Sequence, residues 1–310
     1  MKSRIERKDG VIAIILLSAV LALIASGVFL YEFGDTAEGA ISPNQYDFSP
    51  KMQLISSFST DFSSSKAERA HNVTLACDSF SWLTVRRGEK LSFNTVVGKR
   101  VEERGYKNAK IIVEGKYTEG VGGGVCQVST TLYNAWIRAG LGSEYAQAHS
   151  LPSSYCPLST DATVSEFIDM VLVNDSDYDV LVNGYTKDGK VVFDIYGNPI
   201  EYTIQIRSEV LEVLPEPEPI VEWAEELEGE IKIDDEGEYS ISKKGAQGYK
   251  SRAVIEYYDK NGVKVKEQQL RSDCYLPVQG MITRKKPPQE QTPKVPTKED
   301  FKWFDMLKNS

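Results

Sequence analysis

The sequence predicts an α+β protein in two folded parts, a central domain with helices and a later β-sheet, followed by a smaller β-rich domain. The stretch "VCQVSTTLYNAWIRAGLG" places Val128, Leu132, Ala135 and Ala139 at helical intervals, with Gly140 and Gly142 as the stop. Downstream, "EFIDMVLVNDSDYDVLVNGYTKDGKVVFDIYG" reads as a run of strands. Its turns fall at Asn174-Asp175-Ser176-Asp177, Lys187-Asp188-Gly189 and Gly197-Asn198. The run Pro215-Glu216-Pro217-Glu218-Pro219 is a stiff break. Beyond it, Asn261-Gly262 between two alternating segments marks a β-hairpin.

Taken in chain order, Lys2, Arg4, Arg7 and Lys8 precede an uncharged run from Val11 to Tyr31. About 20 apolar residues cross a bilayer core as a helix, and positive charge before them keeps the first residues inside. Residues 1–31 therefore read as a cytoplasmic stub and one transmembrane helix. The chain is expected at the cell membrane, single-pass, with its bulk extracytoplasmic. A cleaved signal peptide is the alternative, although its apolar region is usually shorter. Residues 32–51 carry Gly, Pro, Asn and Asp without periodicity and read as a spacer. Ser63-Ser64-Ser65, followed by Lys66 and Glu68, reads as the start of a helix running to about Phe80. "VRRGEKLSFNTVVG" is strand-like with a glycine turn, and "NAKIIVEGKYTEGVGGG" is a strand entering a glycine-rich loop. The expected order is helices first and strands later. The domain limits are 52–205 for the central domain, 206–284 for the β-rich one and 285–310 for a Pro-, Lys- and Gln-rich disordered tail.

The 310 residues carry a formal net charge of -9. Nucleic-acid binding needs a basic surface, so nucleic acid is excluded as a partner class. Four cysteines stand far apart with no C-x-x-C pair, and there are two histidines. That argues against a zinc ribbon, a thioredoxin-type site or a His-rich metal site, and no cofactor is expected.

The chemistry concentrates at "GVGGGVCQVSTTLYNA". Three glycines let the backbone bend, and Cys126 then opens the predicted helix. A thiol at a helix N-terminus feels the positive end of the macrodipole, which favours the nucleophilic thiolate. Backbone amides around Gly124, Val125 and Gln127 stand where an oxyanion would need them. A nucleophilic cysteine wants a base and an orienter. His149 lies downstream in "QAHSLPSSY", and Asp161 in "LSTDATV". The bland readings remain open: a tight turn, a small buried thiol at Cys126, a structural His149 and a turn residue at Asp161. Arg100 and Arg104 beside Tyr106, and Tyr155, are candidate substrate contacts, since arginine grips carboxylates in a fork. A solvated charged face is the alternative for the arginines, because Glu102 and Glu103 lie among them.

Leu91-Ser92-Phe93-Asn94, "VVGKRVEERGY", "GGGVCQVSTTLYNA", "AHS" and "DATV" together resemble the VanW domain family, named from vancomycin-resistance clusters, from about Ser56 to about Asn198. The resemblance implies a cell-wall role. Some members are implicated as L,D-transpeptidases with the motif cysteine as nucleophile. Carried over, that puts Cys126 in the nucleophile's place with His149 as base. Asp161 as orienter of His149 is an inference from this chain. Residues from about Ser208 to Arg284, carried by "KKGAQGYKSRAVIEYYDKNGVKVKE" and Pro277, resemble the G-five domain, which implies adhesion to wall sugars. A generic β spacer is the alternative there.

The function so implied is peptidoglycan cross-linking. Cys126 attacks the third-residue carbonyl of a tetrapeptide stem, D-alanine leaves, and a neighbouring stem amine resolves the thioester. The partners would be stem peptides, glycan and the membrane. The rivals are a cysteine peptidase or carboxypeptidase with water as acceptor, and a non-catalytic wall-binding or assembly protein. Cys156 stands where the family is usually apolar, either as a buried hydrophobe or as a disulfide partner.

Overall fold

A computed structural model describes residues 46–113 and 116–287. The expected membrane helix and most of the spacer and tail lie outside these residues. Among the described residues no helix is long and apolar enough to cross a membrane. They are mostly β-sheet, with few helices.

The chain divides into two compact units. Of the described residues, 46–211 with Ser251–Asp273 make up the first, and Glu212–Lys250 with 274–287 the second. The expected domain limits, 52–205 and 206–284, divide the chain differently from these units. The stretch Ser251–Asp273, assigned from sequence to the second domain, belongs to the first unit.

In the first unit the earliest described element is a strand, β1 (Gln53–Asp61), so the expectation of helices before strands does not hold. Then come helix α1 (Ala67–Asp78), β2 (Leu83–Val85), β3 (Lys90–Ser92), helix α2 (Phe93–Val97), β4 (Asn108–Val113) and β5 (Lys116–Val121). Helix α3 (Val125–Arg138) is followed by β6 (Gly142–Tyr145), β7 (Val171–Val173), β8 (Val180–Lys187) and β9 (Lys190–Gly197). The main sheet has the order β1-β9-β8-β2. The β8–β9 turn is the predicted Asp188-Gly189, with φ of 52° and 73°, as a two-residue turn with two positive φ values requires.

Two segments depart from their predicted form. "VRRGEKLSFNTVVG" breaks into two short strands and then α2, because the Ser92 hydroxyl accepts from the Thr95 amide at 3.0 Å and caps a helix at Phe93. "NAKIIVEGKYTEGV" is a hairpin of two strands, β4 and β5, rather than one strand.

The core lies between the main sheet and the two longer helices. Val73, Ala76 and Cys77 of α1 meet Val128, Leu132 and Trp136 of α3 and Val191, Phe193 and Ile195 of β9, all fully buried. Phe80 packs on Phe93 at 5.3 Å and edge-on to Phe193 at 5.5 Å. The alternation along β9 puts every second side chain inward, and α3 is buried along nearly its whole length. That burial makes α3 the fixed axle of the unit. Gly140, at φ 79°, ends it as the sequence predicts.

Strand β10 (Thr203–Leu214) pairs in a three-stranded sheet with β14 (Gly248–Tyr258) and β15 (Lys264–Tyr275). The β14–β15 hairpin turns at the predicted Asn261-Gly262. Ile204 and Ile255 enter the core of the first unit. The second unit is built on β11 (Ile220–Ala224), β12 (Ile231–Asp234), β13 (Gly237–Lys243) and β16 (Met281–Lys285), in the order β11-β16-β13-β12. There the buried Arg284 grips Asp234 through two hydrogen bonds of 2.8 and 2.7 Å.

Candidate active site

Cys126 is the second residue of α3, half-buried, at the wall of a cleft of about 2180 Å³ in the first unit. Gly124 is the N-cap, with φ 108°. A Cβ there would stand 2.9 Å from Val73 and 3.0 Å from the stem of Arg69, so only glycine lets α1 and the start of α3 pack this closely.

The polar residues of "CQVSTTLYN" zip α3 to its neighbours. The Ser129 hydroxyl donates to the Ala162 carbonyl at 2.6 Å, and the Ala162 amide donates back to Thr130 at 3.0 Å. The buried Asn134 amide donates to the Thr160 carbonyl at 2.7 Å. These bonds fix residues 160–164 along α3, and that segment carries Asp161, Thr163 and Val164.

The Cys126 sulfur lies 3.2 Å from the Val164 carbonyl, 3.5 Å from the Val164 amide and 3.8 Å from the Thr163 hydroxyl. His149 lines the same cleft and acts on the sulfur through hydrogen bonding and charge. The other side of that ring is taken: His149 Nδ1 lies 2.6 Å from Asp161 Oδ2, which leaves Nε2 for the sulfur. Asp161 is 1% exposed. Its second oxygen accepts from Arg271 at 3.2 Å, and Arg271 lies over the Tyr133 ring. Arg271 sits on β15. Cysteine, imidazole, carboxylate and guanidinium thus form one chain of contacts.

The electrostatics follow from that chain. Burial by itself would raise the Cys126 thiol, but the hydrogen bond and charge of His149, with the Val164 amide and Thr163 hydroxyl, draw it below the ordinary thiol value. Burial by itself would lower His149, yet its bonds to Asp161 and Cys126 raise it to about 9. Opposite shifts of this kind favour a thiolate–imidazolium pair at neutral pH. The other cysteines behave differently. Burial pushes Cys77 to about 12 and Cys156 to about 11. All four thiols are free, and Cys156 contacts the Ser153 hydroxyl at 3.0 Å rather than Cys126.

Residues 68–196 match the family model described as "VanW like protein". Residues 68–196 are a VanW-like domain. Uncharacterized protein YoaR of Bacillus subtilis (strain 168) is 38% identical over 149 residues, 48% of this chain and 49% of that protein. Vancomycin B-type resistance protein VanW of Enterococcus faecalis (strain ATCC 700802 / V583) is 27% identical over 136 residues, 42% of this chain and 50% of that protein. The chain thus spans about half the length of the curated relatives it matches. Among solved structures, the HP0197-G5 crystal structure is similar at 15% identity and a TM-score of 0.16, over 27% of this chain and 99% of its own. The IgA1 protease G5 domain is similar at 13% and 0.17, over 28% and 94%.

Within the VanW-like domain, Cys126, His149 and Asp161 meet, while the other expected site residues scatter. Tyr106 is buried in the core and does not line the cleft. Arg104 turns its guanidinium onto the Val97 carbonyl at 2.7 Å, closing the end of α2. Arg100 lines the cleft, bonded to Asn94 at 2.8 Å. Tyr155 also lines it, with its phenol pushed well above the usual value by burial and by Cys126, so it remains a neutral donor. The Val125 and Gln127 amides are taken by the Gly122 and Gly124 carbonyls at 3.3 and 3.0 Å, which corrects their expected place as oxyanion donors. The Gln127 side chain is buried and committed elsewhere.

Two residues of the site escaped the sequence reading. Arg69 lies one helical turn before Val73, on the stripe continued by Ala76, Cys77 and Phe80; a charged residue on an apolar stripe is a legible signal. Arg271 lies outside the matched segment, and nothing in its local sequence points to the cleft.

Proposed function

We propose that this protein is a cysteine acyltransferase of the bacterial cell wall, cross-linking peptidoglycan stem peptides through a thioester on Cys126. The observation that carries the reading is the Cys126–His149–Asp161 chain at the wall of an open cleft, with the sulfur drawn toward thiolate and the imidazole toward imidazolium. The name of the enterococcal relative, a vancomycin resistance protein, supports a wall substrate. A cleft of about 2180 Å³ exceeds the ~300–1,000 Å³ of ordinary small-molecule sites and suits a polymer.

In this reading the Cys126 thiolate adds to the carbonyl of the third residue of a tetrapeptide stem. The tetrahedral oxyanion is met by the amides left after the turn bonds of Val125 and Gln127, those of Gly124 and Cys126. The C–N bond then breaks, His149 hands its proton to the departing D-alanine amine, and a thioester remains. A side-chain amine of a neighbouring stem attacks the thioester, gives its proton to His149 and releases the thiolate. Water in place of that amine would make the same site a carboxypeptidase. The anchor read from residues 1–31 would hold the site outside the membrane, and the G-five resemblance would add a hold on wall glycan.

The test is incubation of the purified chain with tetrapeptide muropeptides, read by mass spectrometry. Cross-linked dimer and free D-alanine are expected from the native chain and neither from Cys126→Ala. D-alanine without dimer would replace transfer by hydrolysis. Dimer from Cys126→Ala would remove the nucleophile assignment.

A further inference from the structure

Arg69 is a half-buried cation on the cleft wall that makes no ion pair with a carboxylate among the described residues. Its partners are neutral: it donates to the Ser65 hydroxyl at 2.7 Å and to Gln127 Oε1 at 2.8 Å. The Gln127 amide cannot turn away, because its nitrogen is tied to Thr60 Oγ1 at 3.0 Å and to the Asp61 carbonyl at 2.8 Å. The Asp61 carboxylate takes the amide and hydroxyl of Ser63 on one oxygen, Oδ1, at 2.9 and 2.6 Å, and makes no ion pair with Arg69. Gly124, without a Cβ, leaves the space through which the stem of Arg69 reaches the cleft. A partly desolvated guanidinium held by neutral groups retains N–H donors and an uncancelled charge, and both suit a carboxylate. Arg69 thus bonds the side chain of the residue that follows Cys126, on the wall of the same cleft, and its field reaches Cys126 and Tyr155.

We propose that Arg69 binds the free terminal carboxylate of the acyl donor, so that the site accepts peptides whose leaving group is their last residue. This rests on the acyl-transfer reading above. The only carboxylate a peptide carries whatever its side chains is the terminal one. It lies one residue beyond the broken bond when a single amino acid departs. A fixed cation on the same cleft wall as the sulfur therefore favours exo-cleavage over cleavage within a longer chain. The exposed Glu68 and Glu166 at the rim do not pair with Arg69 and leave its charge available.

The experiment compares alkylation of Cys126 by iodoacetate and by iodoacetamide near pH 7, in the full chain held in detergent, with mass spectrometry locating the adduct. The anionic reagent should gain on the neutral one in the native chain. Arg69→Gln should cut that ratio about tenfold, while Arg69→Lys keeps most of it. A second measurement needs no variant. D-alanine should protect Cys126 of the native chain from iodoacetamide, and D-alaninamide should not. An unchanged ratio in a folded Arg69→Gln chain, or equal protection by the two amino acids, overturns the inference while fast iodoacetamide labelling leaves the nucleophile standing. Slow iodoacetamide labelling of the native chain overturns both.

Discussion

His149 and Asp161 meet at two points: a single carboxylate oxygen, Asp161 Oδ2, takes both the ring Nδ1 at 2.6 Å and the backbone amide at 2.7 Å. The amide bond places the residue and the ring bond sets its tautomer, so Nε2 is presented to the sulfur. Residues 149 and 161 are held in turn by the zipper between α3 and the segment after Thr160.

The pH dependence of Cys126 follows from the opposite shifts of the pair. The thiol is lowered, so its labelling by iodoacetamide should persist below the pH where an ordinary thiol stops reacting. Turnover should fall on the acid side as the thiolate is protonated. It should fall again near pH 9, where His149 loses the proton it must give to the leaving amine. A profile rising steadily to the pH of a free thiol would contradict the ion pair.

Asp161 and Arg271 should behave as a coupled unit. Asp161→Asn removes the charge opposing the imidazolium and weakens one of the two carboxylate contacts of Arg271, which keeps Asp273 at 2.9 Å. Turnover should drop by about 10²-fold or more, and stability by about 1–3 kcal/mol. Adding Arg271→Met should recover part of the stability but not the turnover. Denaturant melts of the two single variants and the double one form the cycle, and strictly additive losses would argue against the contact.

Asn134 is a structural residue of the zipper. Its amide donates to the carbonyls of Thr130 and Thr160 at 2.8 and 2.7 Å, so Asn134→Ala takes a buried donor from the Thr160 carbonyl and a second one from the helical Thr130 carbonyl. The expected cost is about 1–3 kcal/mol, seen as a lower Tm in calorimetry. The thiol should also label more slowly at acid pH, because Asp161 and Val164 lose their register. A variant with native Tm and native labelling would mean that the zipper holds without it.

At Gly124, φ of 108° and the closeness of Val73 and Arg69 act together. Gly124→Ala should cost about 1–3 kcal/mol of stability, from the strained backbone and the displaced stem of Arg69. A thermal melt reads the first effect, and the iodoacetate preference of Cys126 reads the second. A melt unchanged from the native one would show that the turn relaxes freely.

Much of this was legible because it is local. The period of Val128, Leu132, Ala135 and Ala139 announces α3, and Gly140 its end. Asp188-Gly189 and Asn261-Gly262 announce hairpins, since few residues tolerate positive φ. The cysteine after three glycines marks itself as the opening of a helix. Other local signals misled. Ser92 caps a helix inside a segment that alternates like a strand, and one strong hydrogen bond outweighs that alternation. Tyr106 sits among charges in the sequence, yet its ring is core. The amides of Val125 and Gln127 stand beside the nucleophile but are spent on the turn.

The sequence by itself determined the helix that carries Cys126, the hairpins, and three residue types able to form a nucleophile, base and orienter. Only the tertiary structure decided that they touch, that Arg69 faces the same cleft, and that Arg271 braces Asp161. Those contacts join residues 58 apart (Arg69 to Gln127), 38 apart (Cys126 to Val164) and 110 apart (Asp161 to Arg271). Propensity and periodicity act over a few residues along the chain. Contacts at such separations are set by how the buried faces of α1, α3 and the sheets pack against one another, and no single stretch of sequence contains that information.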